Sequence, residues 1–355
     1  MADTQQAPAG DLLRVRNLRT TFHAHRSLVK AVRGVDLTVR EGDFLAVVGE
    51  SGSGKSVTMK SVMGLMPDNA DVEADELTFC GRDMLAMSDE ERRRMRGGEI
   101  AMIFQDPMTS LDPLRTIGKH LREVLKRHRG LTGAAADAEA VRVLGQVGIP
   151  SPEQRLSQYP HEFSGGMRQR VLIAMALCCQ PKLLIADEPT TALDVTIQAQ
   201  ILDLLRRLRD EAGMSVVLIS HDLGVVANVC NRVAVMYGGV IMETGTVDDI
   251  FLRPRHPYTR ALLGAVPNPA DRRHGRLVSI PGSAPSLVDP PDGCPFADRC
   301  TYTCDRCRQA MPAFIAYEGE QTARCVFTAD ELDRMDRTRR PAADAASHDA
   351  KGDAR

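Results

Sequence analysis

The sequence predicts an α/β fold that continues into an irregular, cysteine-rich C-terminal extension. Three continuously apolar runs are typical of buried strands: Phe44–Val48, Leu183–Ala186 and Val216–Ile219. Helical segments separate these runs, and in one of them the apolar residues from Ile197 to Leu208 recur on a single face. Alternating strands and helices indicate a sheet whose reactive loops lie at the carboxyl ends of its strands.

Composition divides the 355 residues into four regions. Residues 1–10 and 331–355 are polar, and we predict that both are disordered tails. Residues 11–260 carry the alternating strands and helices, with a mainly helical insertion at about 107–177. Residues 261–330 form the predicted extension, which is proline-rich at its start and cysteine-rich after Gly293.

Charge and hydropathy restrict the settings in which this protein can work. A formal net charge of −2 gives no basic surface for nucleic acid, which we do not expect as a partner. The apolar runs stay far below the roughly 20 residues of a membrane-spanning helix. Residues 1–10 also lack the pattern of a secretory signal. We therefore predict a cytosolic chain that reaches a membrane only through another protein.

The segment Gly49–Ser56 matches the phosphate-binding P-loop and lies between a predicted strand and a predicted helix. Its glycines allow backbone N–H groups to converge on phosphate oxygens at the positive end of the following helix. Lys55 is expected to reach the β- and γ-phosphates, and the Ser56 hydroxyl is expected to bind Mg²⁺. The predicted nucleotide-binding residues here are Gly49, Ser51, Gly52, Ser53, Gly54, Lys55, Ser56 and Val57.

Polar side chains follow the two later apolar runs. Asp187 ends the second run and is placed to hold Mg²⁺ with its hydration shell, while Glu188 is placed to polarise the attacking water as a general base. His221 follows the third run and can donate a hydrogen bond to the γ-phosphate. With the P-loop, these residues predict hydrolysis of ATP, a reaction in which the protein mainly positions groups and stabilises charge.

A second glycine-containing segment, Phe163–Arg170, begins a predicted helix upstream of Asp187. It resembles the ABC signature, usually Leu-Ser-Gly-Gly-Gln, with Phe163 and Met167 in place of the leucine and the glutamine. The order of the motifs is therefore similar to that of ABC-transporter nucleotide-binding subunits. The resemblance implies a P-loop ABC ATPase domain with a mixed sheet and a helical subdomain.

The resemblance also assigns roles to individual residues. It implies that the signature residues bind the nucleotide of a second ATPase subunit, so that each ATP lies between two chains. Gln105 matches the glutamine that contacts Mg²⁺ or water and relays the nucleotide state to membrane subunits. Phe22 occupies the place of an aromatic residue that stacks on adenine, and His221 matches the switch histidine. The residues implied to reach across to the partner are Ser164, Gly165, Gly166 and Asp194.

Three further segments resemble the importer branch for dipeptides, oligopeptides and nickel: Gln105–Pro113, His256–Thr259 and Ile280–Pro285. Asp112 stands where that branch often has asparagine. Membership implies a second, related ATPase subunit, two transmembrane permease subunits and an extracytoplasmic solute-binding protein. It also implies a peripheral position on the cytoplasmic face of the membrane. Di- or oligopeptides are the expected cargo, and nickel or another small solute is the alternative.

Five of the nine cysteines lie between positions 294 and 325. Cys294, Cys300, Cys307 and Cys325 resemble a pattern with which some members of the branch hold a four-iron cluster, and four thiolates suit a [4Fe–4S] cube. Zn²⁺ is the main alternative, because Cys304 and Cys307 form a closely spaced pair. A third interpretation is a set of reduced thiols without a metal.

Two other functional classes remain at this stage. The first is a soluble ABC ATPase for DNA repair or translation, although such proteins tend to have coiled-coil insertions or duplicated cassettes. The second is a metal-binding regulator that only senses ATP, against which the complete set of Asp187, Glu188 and His221 argues.

Overall fold

The computed structural model describes residues 10–24, 27–106, 110–191, 193–266 and 279–337. Predictions for residues 1–9 and 338–355, and for the first residues of the helical insertion, lie outside this part of the chain. The strands are β1 (Asp11–Ala24), β2 (Ser27–Arg40), β3 (Phe44–Val48), β4 (Ala70–Glu73), β5 (Glu76–Phe79), β6 (Arg82–Asp83), β7 (Ile100–Ile103), β8 (Leu183–Asp187), β9 (Ser215–Ser220), β10 (Arg232–Tyr237), β11 (Val240–Thr246), β12 (Phe314–Ala316) and β13 (Thr322–Arg324).

The helices lie mainly between these strands. They are α1 (Lys55–Val62), α2 (Asp89–Gly98), α3 (Ile117–Arg129), α4 (Gly133–Gln146), α5 (Pro152–Arg155), α6 (Gly165–Leu177), α7 (Val195–Ala212), α8 (Leu223–Val229), α9 (Val247–Leu252), α10 (Pro257–Gly264) and α11 (Asp305–Gln309). A 3₁₀ turn spans Pro160–Glu162, and residues 329–337 are also helical. Across the described ranges, no helix has both the length and the apolar character needed to cross a membrane.

The larger sheet has eight strands in the order β12-β13-β11-β10-β3-β9-β8-β7. Its strands from β10 to β7 are parallel, and β11, β13 and β12 extend it in antiparallel fashion. Every residue of β3, β8 and β9 is buried, as expected of strands that are covered on both faces. The prediction of an α/β fold with a mixed sheet is confirmed. Because the three strands are neighbours, the loops that follow them meet at one edge.

A smaller, antiparallel sheet of five strands packs beside the first and contains β1, β2, β4, β5 and β6. Val15 of β1, Val47 of β3 and Met59 of α1 belong to one buried apolar cluster. This cluster holds α1 in a fixed position relative to both sheets, and α1 is the helix that follows the P-loop.

The helical insertion contains α3 to α6 and packs on the larger sheet. Leu121, Val143 and Ile173, from three of these helices, share one buried cluster with Leu184 of β8. The Thr116 side chain accepts a hydrogen bond from the Lys119 N–H and so caps the start of α3. This insertion positions the signature segment at the start of α6.

The C-terminal extension is more regular than the sequence predicted. Its strand β13 pairs with β11, opposing Ala323 to Glu243 and Thr322 to Thr244, and β12 pairs with β13. The pairing partner lies about 80 residues away in sequence, so short local runs such as Phe314–Ala316 give little indication of it. The extension is therefore part of the main sheet.

Two predicted boundaries need correction. Helix α10 spans Pro257–Gly264, so the division between residues 260 and 261 falls inside a helix. The predicted C-terminal tail begins at 331, yet residues 329–337 are helical and Leu332 is fully buried. The folded part therefore continues to at least residue 337, because Ala329 and Leu332 are buried and Asp333 forms an ion pair with Arg260 of α10.

Candidate active site

The P-loop follows β3 and depends on its glycines. Gly49 and Gly54 have φ values of 149° and 100°. A Cβ atom on Gly49 would lie 2.0 Å from the carbonyl oxygen of Met236, and one on Gly54 would lie 2.5 Å from that of Ala31. Glycine therefore lets the loop pass this close to neighbouring backbone. The free N–H groups at the start of α1, which begins at Lys55, make the loop suitable for binding phosphate.

Lys55, Ser56 and Asp187 meet beside this loop. Lys55 is only 5% exposed, and its ammonium donates hydrogen bonds to the carbonyl oxygens of Gly49, at 2.8 Å, and Glu50, at 2.9 Å. Burial lowers the pKa of Lys55, and the carboxylates of Glu188 and Asp187 oppose that shift. The Ser56 hydroxyl donates to Asp187 Oδ1 at 2.6 Å, so two oxygen ligands suited to Mg²⁺ lie side by side.

Glu188 is the centre of a second group of polar side chains. Its Oε2 accepts hydrogen bonds from Gln105 Nε2 at 2.9 Å and from the Thr191 hydroxyl at 3.0 Å. Its Oε1 lies 3.4 Å from His221 Nδ1. Gln105, Glu188 and His221 follow β7, β8 and β9, so adjacent strands bring them together. A carboxylate whose direction is fixed in this way is suited to orienting and polarising a water molecule.

One cleft of about 630 Å³ is lined by residues of both groups, and Asp187 lies behind its lining, in contact with Ser56. The residues that line it are Ala31, Ser51, Gly52, Ser53, Gly54, Lys55, Ser56, Val57, Gln105, Glu188, His221 and Leu287. Phe22 is not among them; it lies on β1, opposite Val29 of β2 and Ala70 of β4. The apolar side chains that line the cleft are those of Ala31, Val57 and Leu287, and adenine stacking by Phe22 stays a prediction.

The signature segment lies outside this cleft. Ser164 caps α6 by accepting a hydrogen bond from the Met167 N–H, and both Ser164 and Gly165 are exposed. A Cβ atom on Gly166 would lie 2.5 Å from the Ile197 side chain, so this glycine lets α6 approach α7 closely. Asp194 caps α7 and is also exposed. The signature and Asp194 thus belong to one surface, separate from the cleft of their own chain.

Comparison with known proteins agrees with a cleft that binds and hydrolyses ATP. The ABC transporter family matches residues 32–191, and the C-terminal region of oligopeptide/dipeptide transporters matches residues 242–307. A dipeptide transport ATP-binding protein of Bacillus subtilis is 51% identical over 315 residues, which cover 88% of this chain and 94% of the relative. An oligopeptide transport ATP-binding protein of Salmonella typhimurium is 48% identical over 325 residues, which cover 92% and 96%.

The chain belongs to this family of ABC transport ATP-binding proteins. Among solved structures, a dimeric bacterial ABC transporter cassette has a TM-score of 0.59 and 28% identity, and the match covers 66% of this chain and 98% of the other. A dimeric ATP-binding cassette bound to ADP and Pi gives the same values. The chain is an ATPase, and ATP and Mg²⁺ are its expected ligands.

The thiols of the ATPase extension lie near one another. The Cys294 N–H donates a hydrogen bond to the Cys307 carbonyl oxygen at 2.8 Å, and the sulfur atoms of Cys304 and Cys307 are 3.7 Å apart. Burial, with smaller contributions from the neighbouring thiols of Cys300, Cys307 and Cys325, raises the pKa of Cys294 to about 12. Within the described ranges, however, no three His, Cys, Asp or Glu side chains are grouped as metal ligands would be.

Sequence analysis missed one residue that lines the ATPase cleft and one that lies buried behind the P-loop. Leu287 lines the cleft although it is 232 positions from Lys55, and Tyr258 accepts a hydrogen bond from the Glu50 N–H of the P-loop. Both lie in or beside segments that marked the importer branch, His256–Thr259 and Ile280–Pro285. Those segments indicated a family but gave no reason to place them at the nucleotide.

Proposed function

We propose that this ATPase energises the import of di- or oligopeptides. The match of residues 242–307 to the C-terminal region of oligopeptide/dipeptide transporters supports this cargo, as do the names of the relatives. Nickel or another small solute is the alternative. The observation that carries the proposal is that the cleft with the residues for ATP hydrolysis is joined, in one folded unit, to this peptide-transporter region.

A transport assay tests the cargo. The tagged chain is expected to co-purify with two permease subunits and a related ATPase, and this complex in liposomes should take up a labelled dipeptide in an ATP-dependent way. Uptake of nickel without uptake of peptide would replace the proposed cargo with the alternative. Absence of any membrane partner would instead favour an ABC ATPase outside transport.

The proposed roles in hydrolysis follow from the geometry of the cleft. Lys55 and the P-loop backbone bind the β- and γ-phosphates, and Ser56, Asp187 and Gln105 are the candidate residues for holding Mg²⁺, which neutralises phosphate charge when bound. Glu188 accepts a proton from the attacking water. His221, directed at the same carboxylate, donates a hydrogen bond to the γ-phosphate.

We further propose that each nucleotide lies between two ATPase subunits. The signature residues Ser164, Gly165 and Gly166 begin a helix whose positive end suits a phosphate, yet this end lies outside the cleft of its own chain. The exposed Asp194 lies on the same surface. The two similar cassettes of known structure are described as dimeric, which supports a pairing in which the signature of one chain closes the cleft of the other.

The partners place the chain at the membrane. The relatives are transport ATP-binding proteins, so we propose that this chain binds permease subunits from a peripheral position on the cytoplasmic face. An extracytoplasmic solute-binding protein then acts through those permeases. Closure of the two ATPase subunits on ATP moves the region around Gln105, and hydrolysis reverses the movement.

For the thiols we propose a [4Fe–4S] cluster on Cys294, Cys300, Cys307 and Cys325, with Zn²⁺ as the alternative. The sequence pattern of the four cysteines supports this proposal, and Cys300, Cys307 and Cys325 lie near enough to Cys294 to raise its pKa, although their side chains are not grouped as ligands in the described structure. Anaerobically purified protein is expected to contain about four iron and four sulfide ions per chain. Cys300→Ser should lose most of the iron, whereas Cys230→Ser, outside the group, should retain it. Zinc in place of iron would favour the alternative, and the absence of both metals would leave reduced thiols.

A further inference from the structure

Glu50, the second residue of the P-loop, is held from three directions. Its N–H donates a hydrogen bond to Tyr258 Oη at 3.0 Å, and its carbonyl oxygen accepts one from Lys55 Nζ at 2.9 Å. Its carboxylate accepts a hydrogen bond from Arg299 Nη1 at 2.8 Å. Glu50 therefore connects the phosphate-binding lysine to two side chains that follow the P-loop by more than 200 residues.

Arg299 has little freedom to move. Its side chain is 7% exposed, and besides Glu50 it donates hydrogen bonds to Tyr237 Oη at 2.9 Å, to the Pro281 carbonyl oxygen at 2.8 Å and to the Ile280 carbonyl oxygen at 3.1 Å. The guanidinium plane presents its donors in a fixed arrangement, so these bonds define the position of the Glu50 carboxylate. A flexible surface ion pair would not impose such a position.

Three aromatic rings pack against one another beside the Arg299–Glu50 pair. The rings of Tyr237 and Tyr258 lie 4.4 Å apart, and Phe296 lies 5.4 Å from the first and 5.3 Å from the second. Phe296 belongs to the extension, Tyr258 to α10 and Tyr237 to β10. The extension and the nucleotide-binding sheet thus share one packed cluster directly behind the P-loop.

The same part of the extension also reaches the mouth of the cleft. The Lys30 N–H of β2 donates a hydrogen bond to the Leu287 carbonyl oxygen at 2.8 Å, and Val29 pairs with Val288 as an isolated β-bridge. The segment from Ile280 to Val288 therefore contacts Arg299 at one end and lines the nucleotide cleft at the other. This arrangement indicates that the extension and the nucleotide share one structural unit.

We propose that Arg299 is a positioning residue for ATP binding: through the Glu50 carboxylate it fixes the P-loop backbone and the Lys55 ammonium before nucleotide arrives. The proposal rests on the assignment of the P-loop cleft as the ATP site. It gives the C-terminal extension a direct part in nucleotide affinity, whatever the transported solute and whether or not the thiols bind a metal.

Two variants distinguish a role of Arg299 as a positive charge from a role in positioning Glu50, because the two roles predict different ATP affinities. If Arg299 acted only as a positive charge near phosphates, Arg299→Met would weaken ATP binding, whereas Glu50→Gln, which removes a negative charge, would strengthen it. If Arg299 acts by positioning Glu50, both variants weaken binding. The double variant, which restores the parental net charge, then binds no more weakly than the weaker single variant, because both substitutions break the same contact.

The experiment measures equilibrium ATP affinity of the full-length chain and ATPase kinetics of the complex with its partner subunits. We expect Arg299→Met and Glu50→Gln each to raise the ATP Kd about 10-fold, the effect of losing one charge-assisted hydrogen bond. KM should rise with Kd, while kcat at saturating ATP should change less than about twofold, since uniform binding is what is lost. Arg299→Lys should recover part of the affinity.

Arg308→Met is the matched control, because Arg308 is an exposed extension arginine whose ion pair is with the exposed Asp298 and not with Glu50. It should bind ATP as the parent does. Tighter binding by Glu50→Gln, parental affinity in folded Arg299→Met, or an equal loss in Arg308→Met would each overturn the proposal. If Arg299→Met does not fold, Glu50→Gln still decides, because Glu50 is partly exposed and its substitution is isosteric. Failure of the parent to bind ATP would instead refute the assignment of the cleft.

Discussion

Glu188→Gln is expected to bind ATP as tightly as the parent and to hydrolyse it at least about 100-fold more slowly, the usual contribution of a general base. The substitution retains the size of the side chain and leaves an oxygen for the hydrogen bonds from Gln105 and Thr191. It removes the negative charge that faces His221 and the proton-accepting group. Binding should survive because the P-loop contributes the phosphate contacts.

The measurement is steady-state ATPase activity of the assembled complex, together with the ATP Kd of the isolated subunit. Glu211→Gln provides a matched control, because this substitution makes the same chemical change at an exposed residue of α7. The control should retain parental turnover. A Glu188→Gln complex that hydrolyses ATP at the parental rate would show that another group acts as the base.

Lys55→Ala is expected to fail at an earlier step and raise the ATP Kd at least about 10-fold, since a buried ammonium that would contact phosphate is lost. The carbonyl oxygens of Gly49 and Glu50 also lose a hydrogen-bond donor, which should loosen the loop itself. Lys182→Ala is the control. Lys182 is 58% exposed and immediately precedes β8, at the end of that strand opposite to Asp187.

Calorimetry of both lysine variants under identical conditions provides the test. Lys182→Ala should bind ATP as the parent does. Lys55→Ala should bind ATP weakly even when it is combined with the hydrolysis-deficient Glu188→Gln substitution. Parental affinity in Lys55→Ala would contradict the proposed phosphate contact. The two large effects thus separate the steps: one variant binds without turnover, and the other does not bind well enough to turn over.

The sequence predicted the cleft better than it predicted the surroundings of the cleft. The apolar run Phe44–Val48 coincides with β3, and Leu183–Ala186 ends one residue before β8 does, since buried parallel strands have a continuous local pattern. The chemical groups could be assigned because each follows such a strand. Their convergence required only that the strands be neighbours.

Contacts between distant segments could not be derived in the same way. Nothing local to Leu287 indicates that its carbonyl oxygen accepts a hydrogen bond from β2. The polar residues around Leu332 likewise give no indication that this side chain is fully buried. Likewise, nothing local to Phe22 indicates that it lies opposite Val29 of β2 and Ala70 of β4. Long-range pairing decides these placements, and a single sequence does not record it.

The pairing of β13 with β11 also bears on how far the chain can be shortened. Without the extension, β11 would become the outer strand of the larger sheet, and its edge at Glu243 and Thr244 would be open to pairing with other molecules. The buried carboxylate of Glu243 would lose the amide of Gln321, which donates to it at 2.9 Å. A nucleotide-binding core truncated near residue 260 would therefore be prone to self-association. In the full chain, the pairing of β13 with β11 prevents this.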